Sequence, residues 1–311
     1  MPQKATVGFK NRDIISIHDF SKDEIQHILK VAKVYKDRPH PGLLKGTILA
    51  SLFFEPSTRT RFSFESAMER LGGSVISLAD AKSSSSSKGE SLSDSIRIVE
   101  KYCDVIVMRH PLEGAARLAA EISKNPVING GDGANQHPTQ TFLDLFSIQE
   151  TQKKLSGLHV ALVGDLKYGR TTHSLAYALA LFGAKLYFVA PQSLQMPDHI
   201  MRNLKKIKAK YSFHTHPDQL MSKLDIFYAT RIQRERFPDP LEYEKVEGIY
   251  VITNKLLKKV KKNFRILHPL PRVNEINYEV DDTPYAYYFE QANNGLYVRQ
   301  ALLALIMGKA S

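Results

Sequence analysis

The sequence predicts an α/β protein with two doubly wound domains, each of them a parallel sheet flanked by helices. Short apolar runs rich in Val and Ile alternate with amphipathic helical segments, which is typical of βαβ units. A second alternating series begins in the interval 135–153, and 311 residues fit two domains of about 150 residues each. We therefore expect one sheet before this interval and one after it.

The first half opens with a helix from Ser21 to about Tyr35, because Ser21 is a suitable cap and Glu24 completes a capping box. The apolar run 47–54 predicts a buried strand, which stops at Pro56. The later elements alternate in the same way: helix 58–71, strand 74–78, helix 90–101, strand 104–108, helix 112–122, strand 126–129 and helix 138–149.

The second half repeats this pattern. Its predicted strands are 159–163, 185–189, 211–213, 225–228, 248–252 and 264–267, and its helices are 171–181, 198–209, 253–260 and 291–307. Sheets of this kind bind ligands outside the carboxyl ends of their strands. Candidate polar residues do follow the predicted strands, after Phe54, Met108, Asn129, Val163, Tyr228 and Leu267.

The net charge of +11 raises the question of nucleic-acid binding. In the lysine-rich runs 204–208 and 256–262, however, apolar residues recur at helical spacing and the lysines occupy the other face. Solvated helix faces explain these runs better than a nucleic-acid surface, and a positive protein also attracts anionic substrates. We expect no nucleic-acid partner.

The remaining composition indicates a cytoplasmic protein. No apolar run approaches the roughly 20 residues that cross a bilayer, and residues 1–13 contain no apolar signal-peptide core. The only cysteine, Cys103, lies in an apolar segment and excludes an internal disulfide framework. We expect Cys103 to be a core residue and the protein to have no membrane partner.

The turn Ser57-Thr58-Arg59-Thr60 is the strongest candidate site. It joins the strand 47–54 to the next helix, and a helix N-terminus offers unpaired N–H groups and a positive dipole end to an anion. Arg59 adds a planar fork that matches phosphate oxygens. The alternative is a hydroxyl cap with a solvated arginine, but the combination of donors favours an anion site.

Two further candidates follow strands of the first half. Arg109 comes directly after the predicted strand 104–108, and His137 ends a glycine-rich loop that follows strand 126–129. A histidine in this position is more often a cap than a catalyst. Together with Arg59, however, both side chains could hydrogen-bond a carbonyl oxygen that becomes negative in a transition state.

The second half supplies groups suited to carboxylates. The segment 164–171 has the position of a dinucleotide fingerprint but lacks G-x-G-x-x-G, so we reject a nicotinamide or flavin site. Arg170 and Arg231 each follow a strand and could clamp a carboxylate, with surface salt bridging as the alternative. For Arg234 and Arg236 salt bridging is the better interpretation. The rigid segment 268–272 offers carbonyl oxygens to an ammonium or amide group.

The sequence lacks the motifs of several common classes of enzyme, which narrows the possible reaction types. The sequence has no H-E-x-x-H, C-x-x-C or paired Cys/His spacing for a metal, no P-loop, no G-x-S-x-G and no Cys/His pair for a nucleophile. We expect no cofactor and no metal. The residues indicate an enzyme that works by positioning and electrostatics, with a phosphate-bearing group in one half and a carboxylate-bearing group in the other.

One low-complexity tract, Ser83–Ser87, is followed by Lys88. Because it lies between a predicted strand and a predicted helix, we interpret it as a loop inside a domain and not as a linker. A lid that carries Lys88 into a site and a plain surface loop are both open interpretations.

Together these segments resemble the catalytic chains of aspartate carbamoyltransferases. The resemblance runs from about Arg12 to Gly308 and rests on several motifs, whereas the S-T-R-T motif alone would fit any transcarbamoylase. Arg231 with Gln233, the segment 88–90 and an H-P-L-P-R motif without a cysteine favour aspartate over ornithine. The motifs are F-F-E-P-S-T-R-T-R-F-S-F-E, K-G-E-S, R-H-P, G-D-G-A-N-Q-H-P-T-Q, G-D-L-K-Y-G-R-T-T-H-S, T-R-I-Q-R-E-R and H-P-L-P-R.

The resemblance implies that carbamoyl phosphate reacts with L-aspartate to give N-carbamoyl-L-aspartate and phosphate, an early step of pyrimidine synthesis. It also implies a carbamoyl phosphate-binding domain at 1–137, an aspartate-binding domain at 138–290 and a C-terminal helix at 291–311 that returns to the first domain. The implied carbamoyl phosphate ligands are Ser57, Thr58, Arg59, Thr60, Arg109, His137 and Gln140.

The remaining implied roles concern aspartate and assembly. Arg170, Arg231 and Gln233 would hold the aspartate carboxylates, and the carbonyl groups of Pro269 and Leu270 would receive amino groups. Ser84 and Lys88 match loop residues that enter the site of a neighbouring subunit, which implies a homotrimer. Glu55 and Arg234 match an interdomain link that favours a closed state.

In the implied mechanism, the aspartate amine attacks the carbamoyl carbon, and His137, Thr60 and Arg109 stabilise the oxyanion while Arg59 stabilises the leaving phosphate. Lys88 and the departing phosphate are alternative bases. An ornithine-type or other transcarbamoylase is the nearest alternative function, and a non-catalytic anion- or RNA-binding protein is a more distant one. The sequence does not decide whether a regulatory chain binds or whether catalysis is cooperative.

Overall fold

The computed structural model describes residues 8–78, 89–234, 237 and 239–310. It divides into two compact units. The first contains Met1–Phe142 and Asn294–Ser311, and the second contains Leu143–Asn293. The predicted tract Ser83–Ser87 and Lys88 lie outside the described residues.

The first unit contains a four-stranded parallel sheet with the strand order β2-β1-β3-β4. Ser21 caps α1 and forms the predicted capping box with Glu24. The elements in chain order are α1 (Lys22–Asp37), β1 (Ile48–Phe53), α2 (Thr58–Arg70), β2 (Ser74–Leu78), α3 (Leu92–Val99), β3 (Val105–His110), α4 (Ala115–Ile122) and β4 (Val127–Asp132), followed by the start of α5 (Pro138–Gln152).

The order of the strands determines where the first unit can bind a ligand. The chain passes from β1 outward to β2 and then returns to the other side of β1 to form β3. The connections after β1 and β3 therefore diverge and leave a crevice between the carboxyl ends of these two strands. Phe53 lies beside Arg109 in the register of this pair.

The second unit contains a five-stranded parallel sheet with the order β7-β6-β5-β8-β9, and its crevice lies between the carboxyl ends of β5 and β8. Its elements are β5 (His159–Val163), α6 (Arg170–Leu181), β6 (Lys185–Val189), α7 (Asp198–Lys206), β7 (Lys210–His214), β8 (Ile226–Ala229), α8 (Pro240–Glu244), β9 (Arg265–Leu267) and α9 (Tyr288–Ile306). Short 3-10 helices lie at Ile17–Asp19, Gln192–Leu194, Leu256–Lys259 and Tyr278–Val280.

These two sheets confirm the predicted fold class. The predicted return of the C-terminal helix is also confirmed, because α9 leaves the second unit at Asn293 and its later residues belong to the first. Lys36 Nζ donates to Asn294 Oδ1 at 2.9 Å, and the N–H of Asn11 donates to the carbonyl of Ile306 at 2.8 Å. The apolar C-terminal turns of α9 are buried: Leu302, Leu303 and Ala304 have no exposed surface.

Two predicted elements of the second half are wrong. The segment 248–252 alternates in burial like a strand but forms only one bridge, from Ile252 to Ile276. The free edge of β9 is already occupied, since Ile266 exchanges backbone hydrogen bonds with Tyr285 and Tyr287. The predicted helix 253–260 is only the short 3-10 helix Leu256–Lys259, in which a single residue, Leu257, is buried.

The lysine-rich end of α7 agrees with a solvated helix face: Leu204 is buried, whereas Lys205 and Lys206 are exposed. Within the described ranges, no helix combines the length and the hydropathy that a membrane-spanning segment requires.

Candidate active site

The turn that precedes α2 has the geometry of an anion site. Ser57 is the N-cap residue with extended backbone, and its hydroxyl makes no capping hydrogen bond. The alternative of a simple hydroxyl cap is therefore not observed, and the Ser57 hydroxyl does not occupy the N–H groups of the first helical turn. Thr58 and Arg59 are exposed, whereas Thr60 is buried.

Arg109 brings a second guanidinium to the same crevice. Its Nε atom lies 3.0 Å from Oε2 of Glu55, and its backbone carbonyl accepts a hydrogen bond from the N–H of Phe54. Burial lowers the pKa of Arg109, the carboxylate of Glu55 opposes this shift, and repulsion by Arg59 adds to it. Arg59 and Arg109 therefore form one positive cluster. Arg109 lies within β3, not after it as predicted, because β3 continues to His110.

His137 and Gln140 lie at the start of α5, beyond the carboxyl end of β4. Both are buried, with exposed fractions of 4% and 8%. The carbonyl of His137 accepts hydrogen bonds from the N–H groups of Gln140 and Thr141, so the backbone of His137 begins the helix.

The loop that carries His137 is organised by Asp132, which the sequence reasoning missed. Its Oδ1 accepts hydrogen bonds from Asn129 Nδ2 at 2.8 Å and from the N–H of Gln136 at 3.0 Å. Its Oδ2 accepts from the N–H of Gly114 at 2.9 Å and from Asn135 Nδ2 at 2.9 Å. A fully satisfied buried carboxylate of this kind fixes the backbone that leads to His137.

In the second unit, Asp165 connects the loops that follow β5 and β8. Its Oδ1 accepts from the N–H of Tyr168 at 2.9 Å, and its Oδ2 accepts from the N–H of Gln233 at 3.4 Å. Burial raises the pKa of Asp165, and these backbone donors only partly offset the effect. The sequence reasoning missed this residue as well. The signal common to Asp132 and Asp165 is an aspartate next to glycine at the end of a strand.

Three predicted carboxylate-binding residues lie on these two loops or directly after them. Arg170 is the first residue of α6, whose N-cap, Gly169, has no side chain to cap the helix. Arg231 and Gln233 lie two and four residues after β8, and all three side chains are half-buried. The side-chain amide of Gln233 donates to the carbonyl of Tyr168 at 3.3 Å, which ties the second loop to the first. Arg234 is exposed, and its guanidinium lies 5.8 Å from the ring centroid of Tyr243.

Pro269 and Leu270 follow β9, next to β8, so their loop lies at the same edge of the sheet. Both are half-buried. Leu270 has φ +53°, a left-handed conformation that is uncommon for a residue other than glycine.

In each unit the predicted residues lie at or after the carboxyl ends of the strands. In the first unit they are Ser57, Thr58, Arg59, Thr60, Arg109, His137 and Gln140, and in the second they are Arg170, Arg231, Gln233, Pro269 and Leu270. The predicted Ser84 and Lys88 lie outside the described residues. Among the described side chains, no group of three or more His, Cys, Asp or Glu residues is arranged to hold a metal ion.

Comparison with protein families matches both halves of the chain. Residues 12–150 match the carbamoyl-P binding domain of aspartate/ornithine carbamoyltransferases, and residues 156–306 match the Asp/Orn binding domain of the same enzymes. The first match ends within α5, and the second begins just after it.

Individual relatives match over nearly their whole length. The aspartate carbamoyltransferase catalytic subunit of Methanopyrus kandleri is 56% identical over 97% of this chain and 99% of its own. The solved catalytic subunit of M. jannaschii aspartate transcarbamoylase is 53% identical, with a TM-score of 0.88, over 96% of this chain and 98% of that one.

A third relative was solved with a ligand. Aspartate transcarbamoylase from Trypanosoma cruzi, in complex with N-(phosphonacetyl)-L-aspartic acid, is 36% identical, with a TM-score of 0.92, over 97% of this chain and 98% of that one. With both domain matches and this level of identity, the chain belongs to the aspartate/ornithine carbamoyltransferase family.

Proposed function

We propose that the protein transfers the carbamoyl group of carbamoyl phosphate to the amino group of L-aspartate, which gives N-carbamoyl-L-aspartate and phosphate for pyrimidine biosynthesis. The observation that carries this proposal is the paired guanidiniums of Arg59 and Arg109 beside an uncapped helix N-terminus. They lie in the half of the chain that matches a carbamoyl phosphate-binding domain. The names of the relatives support aspartate as the acceptor.

In the first unit, backbone N–H groups of the α2 turn and the guanidinium of Arg59 bind the phosphate. Arg109 and His137 bind the carbonyl oxygen of the carbamoyl group. This division follows from chemistry, since a phosphate dianion requires several charge-assisted donors and a carbonyl requires few. The full set proposed for carbamoyl phosphate is Ser57, Thr58, Arg59, Thr60, Arg109, His137 and Gln140.

In the second unit, Arg170 and Arg231 bind the two carboxylates of aspartate, and Gln233 supports Arg231's loop and contacts the substrate. The carbonyl oxygens of Pro269 and Leu270 accept hydrogen bonds from an amino group, a role that suits carbonyls before and within a proline-rich segment. Two arginines on these loops suit an acceptor with two carboxylates, and ornithine has only one.

The reaction needs no covalent enzyme intermediate. The neutral aspartate amine attacks the carbamoyl carbon, and the carbonyl oxygen becomes an oxyanion that Thr60, Arg109 and His137 stabilise. The carbon–oxygen bond to phosphate then breaks, and Arg59 stabilises the departing phosphate. The proton lost by the amine is accepted by Lys88 or by the departing phosphate itself. Most of the rate enhancement comes from orientation and preorganised charge.

We also propose a homotrimer in which Ser84 and Lys88 of one subunit complete the site of its neighbour. The same proposal includes three domain ranges, 1–137, 138–290 and 291–311. It also includes a link between the domains, through Glu55 and Arg234, that favours a closed state. A cytoplasmic location fits the single Cys103. A regulatory chain stays an open alternative, and sedimentation with and without the bisubstrate analogue N-(phosphonacetyl)-L-aspartate measures assembly and ligand binding together.

The acceptor is tested by assaying carbamoyl transfer with L-aspartate and L-ornithine in parallel. Turnover with aspartate alone is the expected result. Turnover with ornithine and none with aspartate would contradict the roles of Arg170 and Arg231.

Arg59→Ala tests the phosphate site. We expect kcat to fall by about 10²–10³, because a preorganised donor to developing charge is lost. Arg70→Ala, at the other end of α2, is the control, since Arg70 is also exposed. Circular dichroism verifies folding of both variants. Unchanged turnover in Arg59→Ala would contradict the proposed function.

A further inference from the structure

His268 is a buried histidine whose ring is hydrogen-bonded on both sides. Its Nδ1 atom accepts a hydrogen bond from the N–H of Leu270 at 2.8 Å, and its Nε2 atom lies 2.7 Å from Oε1 of Glu275. A backbone N–H can only donate, so Nδ1 carries no proton. The imidazole is therefore neutral, and its Nε2–H donates to the carboxylate.

Glu275 closes the other side of the same loop. Its Oε2 accepts hydrogen bonds from the N–H groups of Val273 and Asn274, both at 3.1 Å. Burial opposes ionisation of this carboxyl, but its two oxygens together accept three hydrogen bonds, from the neutral His268 ring and from these two backbone groups, which favour the ionised form. Glu275 is therefore an ionised carboxylate that joins both ends of the segment 268–275.

A second set of hydrogen bonds anchors this loop to the core of the second unit. The backbone N–H of His268 donates to Gln291 Oε1 at 2.8 Å, and Gln291 Nε2 donates to Asp144 Oδ1 at 2.7 Å. The hydroxyl of Tyr228 donates to the other oxygen of Asp144 at 2.9 Å. Asp144, Tyr228 and Gln291 are almost fully buried, so they form a rigid base on α5, β8 and α9.

Leu270 needs such support because of its backbone. Its φ of +53° brings Cβ too close to the following carbonyl oxygen, and a leucine keeps this conformation only where its surroundings fix it. The hydrogen bond from its N–H to His268 is the contact that acts directly on this backbone. Leu270 and Pro269 otherwise lie half-exposed at the carboxyl edge of the sheet.

We propose that His268 and Glu275 are positioning residues for the acceptor substrate. By holding Leu270 in its left-handed conformation, they orient the carbonyl groups of Pro269 and Leu270 toward the amino group of aspartate. This inference rests on the proposed function, since it deepens the role given there to the two carbonyls. Neither side chain touches the reacting atoms.

Three variants separate the two hydrogen bonds of the imidazole. His268→Asn retains an acceptor near the position of Nδ1 and loses the donor to Glu275. His268→Gln retains a donor near Nε2 and loses the acceptor for Leu270. Glu275→Gln removes the charge while conserving shape. The matched control is Glu279→Gln, since Glu279 is an exposed glutamate of the same unit that accepts from the N–H of Asn254.

We expect His268→Gln and Glu275→Gln to raise KM for aspartate at least about tenfold, because small displacements of positioning groups cost large factors. In the same two variants, KM for carbamoyl phosphate should change less than about twofold. In the control Glu279→Gln, KM for aspartate and KM for carbamoyl phosphate should both change less than about twofold. His268→Asn should be closer to the wild type than His268→Gln. Amide hydrogen exchange at Leu270 should accelerate in His268→Gln and stay slow in His268→Asn.

An unchanged KM for aspartate in His268→Gln and Glu275→Gln would overturn the inference, as would an equal rise in both Michaelis constants. Slow exchange at Leu270 in His268→Gln would also overturn it. Circular dichroism and the carbamoyl phosphate constant report whether each variant is folded. The assay of the wild-type protein separates a failure of this inference from a failure of the proposed function. If the proposed function is wrong, the wild-type protein does not turn over aspartate; if only the inference is wrong, it does.

Discussion

The Nε atom of Arg109 lies 3.0 Å from Oε2 of Glu55, and both side chains are mostly buried at the end of the first sheet. The carboxylate binds one side of the guanidinium, so that the forked side can be directed toward an anion. Arg59 lies close enough to repel Arg109, and Glu55 therefore also reduces the cost of placing two like charges together.

Glu55→Gln should lower kcat/KM for carbamoyl phosphate by about ten- to a hundredfold, because the carboxylate that orients the Arg109 guanidinium loses its charge and small displacements of a positioning group cost large factors. Steady-state kinetics with aspartate saturating measures this constant. Glu69→Gln, an exposed glutamate on α2, should leave it unchanged. Wild-type kinetics in Glu55→Gln would mean that Arg109 is oriented without this carboxylate.

Gly164→Ala should damage the second unit. A Cβ at Gly164 would lie 2.2 Å from the carbonyl oxygen of Thr230, and φ is +114°. The loop after β8 would have to move, and with it Arg231 and Gln233. We expect a loss of about 2–4 kcal/mol in the free energy of unfolding and a higher KM for aspartate.

The control for this substitution is Gly183→Ala. Gly183 also has positive φ, +75°, but a Cβ added there would have no neighbouring atom within 4 Å. Its cost should be only about 1–2 kcal/mol, the conformational part alone. Urea denaturation compares the two variants, and equal losses would show that the contact with Thr230 has no effect.

His173 should make stability depend on pH. Burial lowers its pKa from 6.5 to about 4, although the hydrogen bond with the carbonyl of Leu166 opposes the shift. Between these values the unfolded chain binds a proton that the native protein does not. The free energy of unfolding should therefore decrease as the pH falls from about 6.5 to about 4, by up to about 3 kcal/mol for this group.

Urea denaturation across this pH range, in wild type and in His173→Gln, isolates the contribution. Glutamine can keep the donor to Leu166 but does not titrate, so the variant should have a flatter pH profile. His216→Gln, at an exposed histidine of the same unit, is the control for the substitution itself. Parallel profiles in wild type and His173→Gln would contradict the prediction.

Cys103 should be unreactive in the native protein. Burial raises the pKa of its thiol to about 11, and its Sγ lies 3.4 Å from the carbonyl oxygen of Val99. The nucleophilic thiolate is therefore scarce at pH 8, at roughly one part in a thousand. A thiol reagent should label one cysteine per chain after unfolding in guanidinium and almost none before. Rapid labelling of the folded protein would contradict this.

Much of the fold was predictable because it depends on local patterns. Apolar runs of strand length separated by amphipathic helices indicated both parallel sheets, and the capping box at Ser21 and Glu24 located α1. The segment 248–252 was wrongly predicted as a strand. Its residues do alternate in burial as strand residues do, but no neighbouring strand pairs with it, and the sequence does not show which strands pair at the edge of a sheet.

The candidate site was predictable where a residue type and its place after a strand identify the chemistry, as for Arg59 and Arg170. Asp132 and Asp165 were missed because their importance lies in the partners they reach. Each satisfies backbone donors of a loop, and the sequence does not show which loop conformation those donors adopt.

The sequence by itself determined the class of fold, the two series of strands and the chemical types gathered at their carboxyl ends. Hydrophobic periodicity and helix-start signals are local, so a linear chain displays them. Only the tertiary structure decided that Glu55 pairs with Arg109 and that His268 holds Leu270 in a left-handed conformation. Such pairings depend on strand order and on burial, which strengthens each hydrogen bond and excludes the competing water.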